Sequence, residues 1–389
     1  MVMRTPHTHV PLPTAQAELR AAAQRPFADA VPIPPVLHHN EAFAEHERRQ
    51  IFSREWICVG RRDELSGHGR YLTFEVVGTA LFVIAQRDGS IKAFVNACAH
   101  RHARLLADDK GHKTRIVCPY HAWTYDCDGS LIKAPHMEMA PDFAPEKHPL
   151  REVCCAVWEG FLFVNLAPTP ATSPGDTLAP LRDAVVGRYD MSCYQTVHRE
   201  TLHWNANWKN LVENFIESYH VPTVHRKTFA LHAKPIADYV CGEDADQYAY
   251  HLVPQPAAEG PGSAHPLNQR LAGTWRRTMV DFCVFPSLLV TLMPDYLWYV
   301  SVLPRETGQV AATWGIAVPP EVINDHRGYG LDAWLTEYKQ YMGIANNEDK
   351  PLVEALQRGT ASEHLPAGCL HPIEKNVWQF TRYLARMCC

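Results

Sequence analysis

The segments NACAHRHARL (residues 96–105) and VCPYHAWTYDCDGSL (residues 117–131) place Cys98 and His100 in one short pair and Cys118 and His121 in a second, seventeen residues further on. Two thiolates and two imidazoles can hold a [2Fe–2S] cluster, with the Cys pair on one iron and the His pair on the other. Replacing two thiolates by neutral imidazoles removes negative charge and raises the reduction potential. A tetrahedral zinc site uses the same ligand types, but zinc motifs pair Cys with Cys and His with His, whereas each pair here is mixed. Pro119, Tyr120 and Trp123 add a stiff, apolar cover suited to a shielded redox centre.

Outward from these pairs the sequence is β-patterned. RYLTFEVVG, ALFVIAQ and IKAFVNA read as strands, with Asp88-Gly89 as a hairpin turn. WTYDCDGSLIKAP repeats the pattern around Asp128-Gly129, and VWEGFLFVNLAP supplies a further apolar strand. About 65–167 is therefore a small all-β module. Upstream, residues 1 to about 35 are rich in Pro and Ala and read as a loosely ordered arm, and 38–56 reads as an amphipathic helix. The Pro/Thr-rich stretch 168–180 is a linker. Beyond it come a strand, TVHRETLHW, a helix from about Asn207, several strands between about 245 and 318, and helices near 328–358 and 371–386.

The chain has 389 residues, enough for two domains. A hydrophobic fraction of 46% fits a folded protein, and a formal net charge of -5 argues against nucleic-acid binding as the main task. No apolar run of about 18 residues predicts a membrane span. The N-terminal residues lack an apolar signal core, so the twelve cysteines read as thiols of a cytoplasmic protein.

A second constellation lies in NWKNLVENFIESYHVPTVH (207–225). His220 and His225 are five apart around Pro222, which is expected to end the helix and let His225 turn back toward His220. Two imidazoles plus one carboxylate, with positions left open for O2, make the facial triad of mononuclear Fe(II) oxygenases. The alternative is a pair of hydrogen-bonded structural histidines. The polar stretch NNEDKPLVEALQRG (346–359) reads as a helix start, with Glu348 and Asp349 in its first turn.

Together, NACAHRHARL…VCPYHAWTYDCDGSL, the 217–225 motif and the flanking FSREWICVGRRDEL, WEGFLFVNLAP and PSLLVTLMPDYLWYVSVLP resemble the Rieske non-heme iron oxygenases over about residues 45–386. The chain departs from that family in having Ala122 where Gly is usual after the last cluster histidine, and Cys127 where an apolar residue is usual. The resemblance implies an α+β protein. An N-terminal arm and helix (1–55) pack on the catalytic domain. An all-β Rieske [2Fe–2S] domain (56–167) precedes a helix-grip (START-like) catalytic domain (168–389) with an antiparallel sheet and a mononuclear iron. It also implies Asp349, with Gln357 eight residues on, as the third iron ligand, Glu348 as the fallback and Glu354 as a weaker one. Glu217 would bridge two subunits of a homotrimer, between His121 of one chain and an iron-ligating histidine of the next. Phe215, Phe282, Phe285 and Trp298 are candidate pocket walls, each also readable as plain core.

The expected function is that of a terminal oxygenase. A separate NAD(P)H-dependent reductase or ferredoxin feeds electrons to the cluster, and O2 is used to hydroxylate a small organic substrate. That substrate is an aromatic ring or acid, or a methylated amine such as a betaine undergoing oxidative demethylation. No Gly-rich dinucleotide signature sits in a strand–turn–helix context, which places nicotinamide and flavin on a partner. The rivals are a Rieske-type electron-transfer protein without oxygenase activity and a zinc-binding interaction module.

Overall fold

The computed structural model describes residues 6–229, 235–254, 262–325, 330–362, 364–366 and 368–389. The chain divides into two compact units, one formed by Phe52–Asp176 and the other by Met1–Ile51 with Thr177–Cys389. The break falls inside the Pro/Thr-rich stretch 168–180.

The Phe52–Asp176 unit is all-β. A seven-stranded antiparallel sheet runs in the order Ile57–Arg61, Phe161–Asn165, Glu152–Trp158, Ile91–Val95, Thr79–Ala85, Arg70–Val76 and Lys110–His112. A small sheet, Ile116–Val117, Thr124–Tyr125 and Leu131–Lys133, carries the second Cys/His pair. Both Asp-Gly turns form. Gly89 and Gly129 take φ of 81° and 90°, and the preceding Asp88 and Asp128 side chains accept the N–H groups of Ser90 and Ser130. VWEGFLFVNLAP is two strands rather than one. Glu159 and Gly160 both sit at positive φ, 48° and 80°, and fold it into a hairpin pairing Trp158 with Phe161. Phe82, Phe94, Ile116, Trp123, Tyr125 and Cys127 fill the core, so Cys127 does the packing expected of an apolar residue.

The second unit is built on a seven-stranded antiparallel sheet. Its order is Gln195–Trp204, Val310–Val318, Leu297–Pro304, Leu288–Leu292, Thr278–Val284, Tyr248–Pro254 and Val240–Cys241. The helix Trp208–Ile216 lies against the central strands, between the long helix Gly330–Gly359 and the terminal helix Lys375–Cys388. Apolar residues at Trp208, Leu211, Val212, Phe215 and Ile216 give it one continuous inward stripe. Asn207 caps its start, accepting the Lys209 N–H at 3.1 Å.

Residues 1–35 are not a loose arm throughout. Leu12–Ala23 is an α-helix that packs on the terminal helix, with Ala15, Leu19 and Ala22 buried. Pro13 fits the first turn, where no intrahelical N–H is needed, and the Ala-rich run that follows is strongly helix-forming. The helix expected over 38–56 is shorter. It spans Glu41–Glu47, capped by Asn40, and passes into a π-turn at Arg48–Phe52. Glu47 is buried there because it pairs with the equally buried Lys209 at 2.8 Å.

Candidate functional site

The first pair-bearing loops form two tight turns. His102 N–H donates to Cys98 O at 2.9 Å, and Ala122 N–H donates to Cys118 O at 3.1 Å. The turns require left-handed backbone, with His102 at φ 62° and Ala122 at φ 56°. Cys98 and Cys118 are buried, whereas His100 and His121 are exposed, their rings 4.8 Å apart. This is the polarity a two-iron cluster needs, with the thiolate iron inside and the imidazole iron at the surface. His100 stacks on Trp123 and His121 on Tyr120. Tyr120 is 57% exposed, so it flanks the histidine edge instead of shielding it. Burial pushes the Cys98 thiol up, opposed by hydrogen bonding from Tyr125 and the His100 N–H. The Tyr125 hydroxyl lies 3.2 Å from Cys98 Sγ and accepts the Ala99 N–H. The sequence reading did not single out Tyr125, although its place four residues after His121 put it within reach.

The second constellation is assembled differently from the expectation. The helix ends at Ile216, before Pro222 is reached. Glu217 is extended, at φ −118° and ψ 155°, and its carboxylate accepts the N–H groups of Tyr219 and His220, replacing helical bonds. Pro222 then sits in the first turn of a new helical turn, Val221–Val224, which it starts rather than ends. His220 and His225 are the two caps of that single turn, so their side chains converge, Nε2 to Nε2, at 3.3 Å.

The carboxylate comes from the long helix. Asp349 lies in the middle of Gly330–Gly359, which continues through Pro351, so 346–359 is not a helix start. Asp349 Oδ1 is 3.1 Å from His225 Nε2 and 3.6 Å from His220 Nε2. Gln357 ties this helix to the helix Trp208–Ile216: its Oε1 accepts Asn207 N–H and Asn210 Nδ2, each at 2.8 Å. Glu354 faces away and accepts the Asn205 N–H at 3.0 Å.

The donor set fits a metal cation. An ionised carboxylate only accepts, so Glu217 at His220 Nδ1 and Glu348 at His225 Nδ1 fix the ring protons there. Both Nε2 atoms then face Asp349 Oδ1, a buried oxygen with no hydrogen-bond partner among the described residues. Three lone pairs thus converge within 4.8 Å. Separations near 3 Å are those of neighbouring ligands each about 2.1 Å from one metal. Burial disfavours a charged His225, but the Asp349 and Glu348 carboxylates outweigh it and hold its pKa above the usual histidine value.

A narrow cavity of about 20 Å³ opens on this centre. Trp204, Phe215, Trp298 and Trp314 supply its aromatic walls, with Asn346 and Asp349 as polar lining residues. Of the four expected walls, Phe215 and Trp298 line it, their rings 5.4 Å apart. Phe282 lines a separate small void, and Phe285 stacks on Phe380 and Tyr383 in the core. Asn346 was legible in retrospect, three residues before Asp349 and so on the same helix face.

Family models match both units. The Rieske [2Fe-2S] domain covers residues 55–144, and the catalytic domain of the ring-hydroxylating alpha subunit covers 191–389. The chain belongs to the Rieske non-heme iron oxygenases. This Rieske oxygenase is 35% identical to the carnitine monooxygenase oxygenase subunit of Escherichia coli strain K12, over 86% of this chain and 85% of that one. It is 32% identical to the glycine betaine monooxygenase oxygenase subunit of Pseudomonas aeruginosa, over 86% and 84%. A solved structure of a quaternary ammonium Rieske monooxygenase with L-carnitine superposes with a TM-score of 0.77 at 25% identity, covering 93% of this chain and 96% of that one.

The enzyme is accordingly an O2-using oxidoreductase with a Rieske [2Fe–2S] cluster and a mononuclear iron, and it depends on a separate reductase. A stand-alone electron carrier or a zinc module is set aside by the ring-hydroxylating catalytic domain. No helix among the described residues is long and apolar enough to cross a membrane.

Proposed function

We propose that this oxygenase cleaves a C–N bond of a small quaternary ammonium carboxylate, by hydroxylating a carbon attached to the nitrogen. The observation that carries this is the chemistry of the cavity. Among the described residues its walls hold four large aromatic rings and no Lys or Arg, with Asp349 as the one charged lining residue. Aromatic faces attract a trimethylammonium group, and no basic side chain repels it. The indole N–H groups of Trp204, Trp298 and Trp314 and the Asn346 amide nitrogen are buried without a partner among the described residues. Unpaired buried donors are costly, so they favour a substrate that brings acceptor oxygens, as a carboxylate does. The similarity to carnitine and glycine betaine monooxygenases supports the same reading.

In this reading Cys98, His100, Cys118 and His121 hold the cluster, and His220, His225 and Asp349 hold the mononuclear iron. Iron bound there supplies O2 activation with electrons received from the cluster. The rings position the ammonium group so that one N-bound carbon faces the Asp349 end, and they exclude water from it. An N–CH2OH or N–CHOH group then collapses by loss of its hydroxyl proton: a methyl carbon leaves as formaldehyde, a chain carbon as an aldehyde with release of trimethylamine. The protein would work as a homotrimer supplied by an NAD(P)H-dependent reductase or a ferredoxin. Glu217, which already holds His220, would also reach His121 of the neighbouring protomer and carry the electron path.

The test is a panel of L-carnitine, γ-butyrobetaine, glycine betaine, choline and indole with a surrogate reductase, reading formaldehyde, trimethylamine and O2 uptake. The expected result is coupled turnover of at least one trimethylammonium carboxylate, poor turnover of choline and none of indole. Oxidation of indole alone, with neither formaldehyde nor trimethylamine from the ammonium compounds, contradicts the reading.

A further inference from the structure

We infer that Glu348 is a positioning residue of the mononuclear iron site, one that locks His225 from the side opposite the metal and is itself locked by Thr228. The expectation of Glu348 as a fallback ligand places it on the wrong side of the ring. Glu348 Oε2 accepts His225 Nδ1–H at 2.9 Å, whereas the ring's Nε2 faces Asp349 Oδ1 at 3.1 Å. The same Oε2 accepts the Thr228 hydroxyl at 2.6 Å. Consecutive helical side chains diverge by about 100°. Glu348 and Asp349 therefore leave the long helix in different directions and grip the two ends of one imidazole. Thr228 lies three residues after His225, so the His225 loop itself fixes the carboxylate that fixes its histidine. Phe229 packs edge-on against the His225 ring, 5.0 Å away, and blocks rotation from a third side.

The two iron-side histidines are then served by two carboxylates with different surroundings. Glu217 holds His220 from an extended segment beside the exposed Tyr219. Glu348 holds the fully buried His225 from inside the fold. A carboxylate on the outer nitrogen sets the tautomer and strengthens the inner nitrogen as a ligand, and its loss costs roughly 10–100-fold in metal affinity.

The inference rests on His225 being an iron ligand, and the experiment separates the two. Full-length protein with its cluster retained and its mononuclear iron stripped by chelation is titrated anaerobically with Fe(II) alone against a competing chelator. Glu348→Ala is expected to bind Fe(II) about 10–100-fold more weakly. Its ferrous nitric oxide adduct should show a broadened EPR signal from an unfixed His225, while the reduced-cluster EPR signal, the check on folding, stays unchanged. Glu348→Gln keeps an acceptor oxygen for both donors without the charge and should recover part of the loss. Thr228→Val should show a smaller loss of the same kind, and it serves with Glu348→Gln if Glu348→Ala fails to fold. His225→Ala losing Fe(II) binding while the Glu348 and Thr228 variants bind as wild type overturns the positioning role. His225→Ala binding as wild type overturns the ligand assignment beneath it.

Discussion

Replacing Ala122 by glycine should stabilise the Phe52–Asp176 unit. Ala122 follows His121 and sits at φ 56°, in the left-handed region. It is held there from both sides: its N–H donates to Cys118 O at 3.1 Å, and its carbonyl accepts the Thr124 hydroxyl at 3.0 Å. The turn cannot relax to negative φ without pulling Cys118 and His121 apart. A Cβ in this region costs about 1–2 kcal/mol. Glycine removes that cost but gives the unfolded chain more freedom, which offsets about 0.4–1 kcal/mol. The net gain is about 0.5–1 kcal/mol, or roughly 2–4 °C for a unit of this size. The assay is loss of the visible absorbance of the cluster on heating, with Ala122→Val as a companion whose β-branch should lower the midpoint. An Ala122→Gly midpoint at or below wild type would refute the claim that this turn stores backbone strain.

Other consequences concern the second unit. Glu47 and Lys209 form a buried pair at 2.8 Å, and the Trp208 indole also donates to Glu47. Glu47→Ala leaves a buried ammonium unpaired and should cost about 3–5 kcal/mol, read as a lower urea midpoint. Burial pushes the Asp295 carboxyl up to about 7, against the pull of the Gly262 N–H. The folded state then binds this proton more tightly than the unfolded state. That contribution is fully present below about pH 4 and is lost as pH rises toward 7, by at most about 4 kcal/mol. Asp295→Asn should flatten the fall in stability between those pH values, and an unchanged slope would place the cause elsewhere.

The cluster motif was readable because its chemistry is local. Each Cys/His pair lies within four residues, and the Asp-Gly turns carry their own conformational signal. The helix-grip unit was readable at the level of elements because strand alternation and the 3.6-residue stripe of Trp208–Ile216 are strong patterns. What failed involved backbone choices decided by neighbours. Pro222 read as a helix end and the polar stretch 346–359 as a helix start, yet Pro222 starts a turn and 346–359 lies inside a long helix. The early end at Ile216 comes from Glu217 taking over the N–H groups of the next turn, which propensity does not encode. The Leu12–Ala23 helix was masked by its prolines, and its packing surface lies at the far end of the chain. Glu348 was seen as a possible ligand, but only the distances assign it to the outer nitrogen of His225.

The account stands on one chain holding two separate iron sites. Anaerobically prepared wild-type protein should contain three irons per chain and give a Rieske-type EPR signal on reduction, with g values averaging below the free-electron value. His220→Ala and Asp349→Ala should each keep that signal with two irons per chain and lose O2-coupled product. Three irons retained in both variants, or zinc in place of iron in the wild type, would contradict the account.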